Sequence, residues 1–427
     1  MDHNIPGERL DLSLLSSSPI EALIELAEER RVTLSTPTTR PEVIQKILSS
    51  VSLEVEIVSE GCFDLMEGGF GFLRGSASSF QPSSTDVYVS PSQVKRFKLQ
   101  RGDQVRGIVR PPRDSERYLA LLRVEELNRL SPSSPRRAFT FDEMTPCHPQ
   151  RRLILEHSVT ELNTRIIDLF CPLGFGQRGL IVAPPKTGKT TLLQKIAAAI
   201  SELHPDVHLM TLLIDERPEE LTEMRSMVRG EVVGSCFDEP ASRHQQVAEF
   251  TLERAKRLVE SGRDVVILLD SITRLARAYN KTVSSGKLLS GGVDVAALEA
   301  PKRLFGAARN MREGGSLTIL ATALVDTGSR ADEVIYEEFK GTGNAEIYLS
   351  RVLMERRCFP TIDAPKSSTR REELLREQSE LQAVWRYRRL MQESPSLSES
   401  TDQLHALLRR ADDNAALIKI IQDTELA

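Results

Sequence analysis

The stretch GLIVAPPKTGKTTLLQKIAAAI, residues 179–200, decides the fold of this chain. An apolar run, a short loop that ends in Gly188-Lys189-Thr190 and a helical run follow one another, which is the context that a phosphate-binding loop requires. Backbone N–H groups at the helix start favour an anion there. We expect Lys189 to reach the β- and γ-phosphates of a nucleotide and Thr190 to hold Mg²⁺. Ala183 replaces the glycine that opens the general pattern, and the alternative is a lysine-bearing turn before an amphipathic helix.

Four more apolar runs follow the phosphate-binding loop and lack the alternation of a half-exposed strand. They are HLMTLLIDE (208–216), EVVGSCFD (231–238), DVVILLD (264–270) and SLTILATAL (316–324). Such runs are typical of parallel strands that are covered on both faces. Helical segments such as RHQQVAEFTLERAKRLVESG lie between them. The pattern predicts an α/β domain with a mostly parallel sheet.

Two of these runs end in carboxylates that are candidates for catalysis. Asp270, followed by Ser271, ends DVVILLD, and a carboxylate at the end of a buried strand can orient Mg²⁺. Asp215, Glu216 and Arg217 follow another buried strand, and a carboxylate there can polarise an attacking water. A solvated helix start is the alternative for Asp215–Arg217. Catalysis is favoured because three signals lie at strand ends of one sheet: this segment, Asp270 and the phosphate-binding loop.

The N-terminal third has a different organisation. Residues 1–50 predict a small helical piece, from SPIEALIELAEER and RPEVIQKIL, where Pro41 suits a first turn. Residues 51–129 hold five short strand-like runs, which predict a small barrel: SLEVEIV, FGFLR, TDVYVS, DQVRGIV and RYLALLRVEEL. We expect a linker over residues 130–150, which begins with LSPSSPRR, and the α/β domain with a helical tail over residues 151–427.

Aromatic residues are concentrated in the predicted barrel. Of the 21 in the chain, seven lie between residues 60 and 118, interleaved with arginines and lysines: Phe63, Phe70, Phe72, Phe80, Tyr88, Phe97 and Tyr118. Aromatics among cations on a small barrel form a platform for stacking bases and following phosphates. In GGFGFLR the alternate aromatics share one face, and the alternative is that Phe70 and Phe72 are core residues.

Bulk properties limit the class of protein. The chain has 427 residues, 40% hydrophobic and 27% charged, which suits a soluble protein of two or three domains. The net charge of −5 does not decide nucleic-acid binding, because a motor needs only a local basic channel. Five scattered cysteines favour reduced thiols in the cytoplasm. No signal peptide or spanning segment is indicated, and the histidine spacing predicts no structural metal.

Several long strings together resemble the family of bacterial transcription termination factor Rho. They are GLIVAPPKTGKT, LLIDERPEE, FDEPASRH, VILLDSITRLARAYN, LFGAARN, DEVIYEEFKGTGN, GFGFLR, VYVSPSQ and RPPRDSERY. The resemblance covers residues from about 15 to about 425, and Ala183 is itself the form of the loop in that family. It implies a homohexameric ring of RecA-like P-loop domains, each preceded by an OB or cold-shock-like barrel. It also implies an ATP-dependent RNA translocase or helicase that binds nascent single-stranded RNA and releases the transcript from RNA polymerase.

The resemblance assigns residues within the matching motifs. The catalytic set is Lys189, Glu216, Asp270 and the arginine finger Arg370, and Mg²⁺ is held by Thr190 and Asp270. The ATP pocket takes in Gly174, Phe175, Gly176, Gln177, Arg178, Gly179, Lys186, Thr187, Gly188, Lys189, Thr190, Thr191, Arg217 and Phe359. The primary RNA site takes in Gly69, Phe70, Gly71, Phe72, Leu73, Arg74, Asp86, Val87, Tyr88, Glu116, Arg117 and Tyr118. The pore loops take in Lys287, Leu288, Leu289, Ser290, Gly291, Gly292 and Arg330.

Two residues depart from the family's pattern. Thr191 stands where an apolar neighbour would pack better on adenine, and Arg330 replaces a lysine, which changes the geometry of the charge. Without the resemblance, both pore segments also fit ordinary surface loops.

A nucleotide-gated RNA-binding assembly with little turnover is the competing function, and ATPase rates with and without RNA distinguish it from an RNA-dependent ATPase. A rotary-synthase or recombinase relative is more distant, because the aromatic barrel and GKLLSGG argue against it.

Overall fold

The computed structural model describes residues 9–34, 39–51, 55–113, 116–134 and 139–423. The chain divides into two compact units. Unit 1 comprises Met1–Ala138 and Phe250–Arg257, and unit 2 comprises Phe139–Glu249 and Leu258–Ala427. The first residues of SLEVEIV and the last residues of LSPSSPRR lie outside the described residues.

Unit 1 contains a closed five-stranded barrel with one added strand. The strands are β1 (Arg9–Asp11), β2 (Glu56–Leu65), β3 (Gly71–Arg74), β4 (Val87–Val89), β5 (Gln104–Arg110) and β6 (Leu119–Leu127). The order is β1-β2-β3-β4-β6-β5, and pairing of β2 with β5 closes the barrel. All five predicted strand-like runs contribute a barrel strand. The parallel strand β1 was not predicted, because three residues carry too little periodicity to be recognised.

Helices in the described part of residues 1–138 are α1 (Leu12–Ser17), α2 (Ile20–Glu29), α3 (Arg40–Ser50) and α4 (Pro91–Phe97). The helices α2 and α3 confirm the predicted helical piece. A capping box starts α3, where Glu42 Oε2 accepts from the backbone N–H of Thr39 at 2.8 Å. Leu23 and Ile44 of these helices share one buried core with Phe63 of the barrel, so the helical piece packs on the barrel.

Unit 2 is built on a sheet of mostly parallel strands. They are β7 (Pro146–Cys147), β8 (Arg178–Ala183), β9 (His208–Glu216), β10 (Glu231–Cys236), β11 (Val265–Asp270), β12 (Arg309–Met311), β13 (Ser316–Leu324), β14 (Ala345–Tyr348) and β15 (Ser368–Thr369). The order is β10-β9-β11-β13-β8-β14-β15, and the pairs from β10 to β14 are all parallel. Every residue of β11 is buried, as the unbroken apolar runs predicted.

Helices surround this sheet. They are α5 (Leu162–Phe170), α6 (Lys189–Leu203), α7 (Pro218–Met227), α8 (Ala241–Glu260), α9 (Ile272–Thr282), α10 (Glu299–Gly306), α11 (Arg330–Lys340), α12 (Arg351–Glu355), α13 (Gln378–Glu393), α14 (Leu397–Arg410) and α15 (Asn414–Asp423). The predicted helical tail is present, and Val384, Leu404 and Leu417 join the core of the unit. The segment around Arg370 forms β15, which pairs with β14, and a 3₁₀ turn.

Candidate nucleotide pocket and RNA-contacting surfaces

The loop between β8 and α6 has the geometry of an anion-binding turn. Gly188 is the N-cap of α6 and has a φ of +90°, a left-handed conformation that glycine adopts without strain. The Thr187 hydroxyl donates to the carbonyl of Pro184 at 2.7 Å, which closes the turn. The Thr361 hydroxyl donates to the carbonyl of Thr187, also at 2.7 Å, and fixes the loop from outside. The N–H groups at the start of a helix favour a bound phosphate.

Lys189 meets both strand-end carboxylates. Its Nζ lies 2.6 Å from Asp270 Oδ2 and 3.7 Å from Glu216 Oε2. The three residues converge because β8, β9 and β11 are parallel and end at the same edge of the sheet. The Thr322 hydroxyl of β13 donates to Asp270 Oδ1 at 2.8 Å and orients that carboxylate. The structure therefore brings three of the four predicted catalytic residues into one pocket.

The environment of Glu216 suits a proton acceptor. Its side chain is almost fully buried, and burial raises the pKa of Glu216 to about 7, with a further upward contribution from Asp270. Lys189 and Arg274 act in the opposite direction, and Arg274 Nη1 lies 3.4 Å from Glu216 Oε1. A carboxylate with a pKa near neutrality can take a proton from water and release it again.

The remaining predicted pocket residues near this loop are exposed. Lys186 has a φ of +64° at the tip of the loop, Thr191 faces solvent on α6, and Arg217 is the N-cap of α7. Phe359 is 51% exposed and lies two residues before Thr361, whose hydroxyl binds the loop. Phe359 lines a cavity of about 550 Å³ together with Lys195 of α6. The exposed ring of Phe359 is therefore available to pack against the base of a nucleotide.

The segment 174–179 lies at the other end of β8. Gln177 Nε2 donates to Asn344 Oδ1 at 2.7 Å, and Arg178 donates to the carbonyls of Ala308 and Thr342. Phe175 is buried beneath the guanidinium of Arg151. At about 3.3 Å per residue, six-residue β8 separates its two ends by about 17 Å. The predicted residues Gly174 to Gly179 therefore do not join the nucleotide pocket of their own chain.

Arg370 lies at the same end of the sheet as the segment 174–179. Its backbone N–H donates to the carbonyl of Asn344 at 2.8 Å, while the N–H of Asn344 donates to the carbonyl of Arg178. The side chain of Arg370 is exposed. The neighbouring acids have other partners, since Glu373 pairs with Arg371 and Glu372 lies 2.8 Å from the indole nitrogen of Trp385. The structure does not bring Arg370 into the pocket of Lys189.

Four half-exposed aromatic rings form a continuous face on the barrel, which we call the aromatic face: Phe70, Phe72, Tyr88 and Tyr118. The ring centroids of Phe72 and Tyr118 lie 4.8 Å apart, and those of Phe70 and Tyr88 lie 5.7 Å apart. Phe72 lies opposite Tyr88 in the pairing of β3 with β4, which fixes both on one surface. The buried ring of Phe63 fills the core instead, so an exposed face is left for stacking.

A charged cavity borders the aromatic face. Tyr88, Tyr118, Glu116 and Arg117 line a cavity of about 580 Å³. The guanidinium of Arg110 binds the carboxylate of Glu116 at 2.5 and 2.7 Å. This hydrogen bonding lowers the pKa of Glu116 to about 2. An anionic acceptor held beside two tyrosine rings can receive hydrogen bonds from a base edge.

Other predicted members of the primary RNA site are buried. Leu73 and Val87 belong to the core. Arg74 is 5% exposed, and its guanidinium lies 2.9 Å from Asp64 and 3.8 Å from Asp86. Burial raises the pKa of Asp86 to about 6. The structure therefore places Arg74 and Asp86 in a buried charge cluster and not on the aromatic face. Gly71 is packed so closely on Phe63 and Asp64 that a Cβ would collide with both, whereas Gly69 is open.

The two predicted pore loops touch each other. A Cβ at Gly291 would lie 2.8 Å from the backbone carbon of Arg330, so this glycine permits the close approach. Lys287 and Leu288 are exposed, and Arg330 is exposed at the start of α11. Arg277 of α9 binds Asp332 of α11 through two hydrogen bonds of 2.7 and 2.5 Å. Two segments far apart in sequence thus present their cations on neighbouring loops.

The sequence analysis missed several residues that position these sites. Arg274 contacts Glu216 and also donates to the backbone carbonyl of Asp215. Arg274 lies on α9, four residues after Asp270 at the end of β11, and this spacing was an available signal that it lies near the pocket. Thr322 lies within the apolar run of β13, and a polar residue in a buried strand could have been noticed. The partnership of Arg110 with Glu116 had no local signal.

Comparison with known proteins agrees with both units. Residues 59–133 match the family described as Rho termination factor, RNA-binding domain. Residues 163–369 match the ATP synthase alpha/beta family, nucleotide-binding domain. Transcription termination factor Rho of Escherichia coli and that of Salmonella typhimurium are each 54% identical to this chain over 387 residues, covering 90% of this chain and 92% of the relative. The Rho of Allochromatium vinosum is 52% identical over 410 residues, covering 95% and 98%.

Solved structures support the fold alone. A prototypical ATPase from the type III secretion system of pathogenic bacteria aligns with a TM-score of 0.55 and 22% identity, covering 71% of this chain and 94% of that chain. The assembled ATPase EscN of enteropathogenic Escherichia coli aligns with a TM-score of 0.55 and 20% identity, covering 73% and 79%.

The fold and its sites define a protein that joins an RNA-binding barrel to a RecA-like, ATP-binding domain. Identity above 50% over nine-tenths of the length then fixes the family. The chain belongs to the Rho family of transcription termination factors, as the sequence strings predicted.

Proposed function

We propose that this chain is an RNA-dependent ATPase that translocates along nascent single-stranded RNA and releases the transcript from RNA polymerase. The observation that carries the proposal is the convergence of Lys189, Glu216 and Asp270 at the edge of the sheet. A binding assembly with little turnover has no need of a buried carboxylate with a pKa near 7 beside a phosphate-binding lysine.

The same residues explain how the hydrolysis step would proceed. Glu216 accepts the proton of the attacking water, and Arg274 holds the carboxylate in place through its contact with Oε1. Lys189 stabilises the charge that develops on the transferred phosphate. The burial of Glu216 strengthens these interactions, because charges act more strongly away from water.

The donor set at this edge suits Mg²⁺. Thr190 offers a hydroxyl at the start of α6, and Asp270 offers a carboxylate whose direction Thr322 fixes. These are hard oxygen ligands of the kind that Mg²⁺ prefers. Glu216 Oε2 is buried without a hydrogen-bond partner among the described residues and lies 3.7 Å from Lys189 Nζ, so a second carboxylate stands close to this edge. Bound Mg²⁺ supplies charge neutralisation on the β- and γ-phosphates.

The place of Arg370 supports assembly into a homohexameric ring. This arginine is exposed at the end of the sheet opposite its own phosphate-binding loop. It can serve a nucleotide only if a neighbouring subunit presents one. The segment 174–179 lies at the same end and would meet the neighbour's pocket too. In such a ring the finger of one chain completes the site of the next.

RNA binding is divided between two places in the chain. The aromatic face holds bases by stacking and constitutes the primary site of the barrel, residues 51–129. The loops of Lys287 and Arg330 form the secondary site of the ATPase domain, residues 151–427. The helical piece of residues 1–50 supports the barrel through their common core, and residues 130–150 link the two domains.

We place the protein in the cytoplasm, where nascent transcripts and RNA polymerase are found in bacteria. Its five cysteines are free thiols, as a reducing compartment allows. Among the described residues, no helix has the length and apolarity that crossing a membrane requires.

ATP turnover with a panel of RNA and DNA homopolymers tests the proposed function. We expect Mg²⁺-dependent hydrolysis that single-stranded RNA stimulates and DNA stimulates less. Tight RNA binding with slow, RNA-independent turnover would contradict the proposal and favour a nucleotide-gated binding assembly.

A further inference from the structure

A cluster of three ligand-type side chains lies apart from the nucleotide pocket and the RNA surfaces. Cys358 lies in the turn after α12, while Asp402 and His405 lie three positions apart on α14 and thus share one helix face. One potential ligand atom from each of the three lies within 4.8 Å of the other two. Cys358 Sγ is 3.2 Å from Asp402 Oδ1 and 3.9 Å from His405 Nδ1.

These distances suit a tetrahedral metal ion. Bonds of about 2.3 Å to sulfur and about 2.0–2.2 Å to nitrogen and oxygen place neighbouring ligand atoms about 3.3–3.7 Å apart. The two measured separations fall on either side of that range, so shifts of a few tenths of an ångström would bring both contacts of the sulfur into it.

Hydrogen bonding does not account for the buried imidazole. His405 is 4% exposed, and its Nε2 has no hydrogen-bond partner among the described residues. Its Nδ1 faces the sulfur of Cys358 at a distance that gives only a weak hydrogen bond. Burying a polar ring with so little compensation is costly, and a bond from Nδ1 to a metal would replace its weak contact with the sulfur by a strong one.

The cluster meets solvent at one of its three residues. Cys358 and His405 are buried, but Asp402 is exposed and lines a surface cavity of about 460 Å³ with Arg356, Glu399 and Gln403. A water molecule would complete the fourth coordination position of an ion bound by the three side chains.

We propose that Cys358, Asp402 and His405 form a binding site for a thiophilic divalent cation of the zinc type. A thiolate, an imidazole and a carboxylate together select Zn²⁺ over the hard ion Mg²⁺. The ion would tether the turn that leads into Phe359 to α14, close to the cavity that Phe359 lines. The site is independent of the proposed Mg²⁺ site, which uses Thr190 and Asp270.

Metal titration of the full chain tests the proposal. The protein is stripped with a chelator, and Zn²⁺ binding is measured in competition with a chromophoric chelator in excess Mg²⁺. Co²⁺ serves as the spectroscopic probe, since a bound thiolate gives a charge-transfer band in the near ultraviolet. We expect one tightly bound Zn²⁺ per chain, a thiolate–Co²⁺ band, and a higher midpoint of thermal unfolding with Zn²⁺.

Matched variants locate the ion. Cys358→Ser and His405→Gln should each weaken Zn²⁺ binding by more than about tenfold and Cys358→Ser should abolish the Co²⁺ band. Cys236→Ser is the control, because Cys236 also lies beside a carboxylate, Glu239, and should bind as the unaltered chain does. Asp402→Asn changes an exposed side chain and should weaken binding without affecting the fold. The absence of stoichiometric Zn²⁺ binding, or a thiolate band that survives Cys358→Ser, would overturn the proposal and leave a hydrogen-bonded packing cluster.

Discussion

Lys189 Nζ lies 2.6 Å from Asp270 Oδ2, so one ion pair joins the phosphate-binding loop to the end of β11. The pair sets the distance between the lysine proposed to meet the phosphates and the carboxylate proposed to hold Mg²⁺. It also places Glu216 3.7 Å from the same ammonium. Changes at any of these three residues are therefore expected to affect hydrolysis before they affect RNA binding.

Replacement of Lys189 is the first test of the pocket. Lys189→Ala removes the charge that neutralises phosphate, so we expect hydrolysis to be abolished while RNA binding by the barrel is retained. ATPase assays and RNA titrations of the full chain measure the two effects. Lys302→Ala is the control, since Lys302 also pairs with a carboxylate, Glu338, at 2.6 Å. Near-normal turnover in Lys189→Ala would show that the phosphate-loop assignment is wrong.

The pH dependence of hydrolysis tests Glu216. Burial raises its pKa to about 7, so the ionised base should accumulate, and the rate should rise, as pH increases through about 7. Glu216→Gln should still bind ATP but should lose hydrolysis and its pH profile. A rate that is flat between pH 6 and 8 at about constant ATP affinity would contradict the role of a base.

The raised pKa of Glu216 also predicts the direction in which stability changes with pH. The folded-state pKa of Glu216 lies above the ordinary glutamate value of 4.5, so the folded state binds more protons than the unfolded state between about 4.5 and 7. The free energy of unfolding should therefore fall as pH rises through this window. Denaturant unfolding of Glu216→Gln should show a shallower fall, and a steeper one would refute the direction of the shift.

Removal of single rings tests the aromatic face. Phe72→Ala or Tyr118→Ala should weaken RNA binding by about 1–3 kcal/mol each, the usual contribution of one stacked base. Both rings are half-exposed, so thermal unfolding should change little. Leu130→Ala, which removes an exposed apolar side chain outside the aromatic face, is the control. Unfolding of the barrel with unchanged affinity of the folded fraction would favour the core interpretation.

The pore loop is tested through Lys287. Lys287→Ala should leave primary RNA binding intact while RNA-stimulated ATPase activity falls, because the lysine is exposed on the loop beside Arg330 and not on the barrel. Lys281→Ala, at the end of α9, is the matched control. An equal loss of primary affinity would mean that Lys287 does not belong to a separate site.

Arg370 and Arg371 form a natural pair for testing the ring. Arg370→Ala should still assemble and bind ATP and RNA, but hydrolysis should fall by about 10³–10⁵-fold, as for other arginine fingers. Arg371 pairs with Glu373 at the surface, where solvent screens the contact, so Arg371→Ala should be nearly silent.

Mixed rings extend this test. Lys189→Ala and Arg370→Ala chains, each inactive alone, should regain part of the RNA-stimulated ATPase when mixed, provided that single intact interfaces can turn over. Wild-type hydrolysis by the Arg370→Ala homomer would refute the finger assignment.

The sequence by itself determined the strands of the sheet, the phosphate-binding loop and the carboxylates at the strand ends. It could do so because parallel strands are continuous apolar runs and their carboxyl ends meet at one edge, so Lys189, Glu216 and Asp270 are predictable from local pattern. The barrel strands and α2 and α3 were equally accessible, since each carries its own periodicity and turn residues.

Only the tertiary structure decided the relations between distant segments. It showed that Arg74 is buried with Asp64 and Asp86, although the resemblance assigned it to the primary RNA site together with Phe72. It placed Arg370 and the segment 174–179 at the end of the sheet away from the phosphate-binding loop. It brought Cys358 to His405, 47 positions along the chain, although the spacing of histidines gave no sign of a metal ligand. Such contacts depend on how whole helices and strands pack, and packing at long range leaves no periodic trace in the sequence.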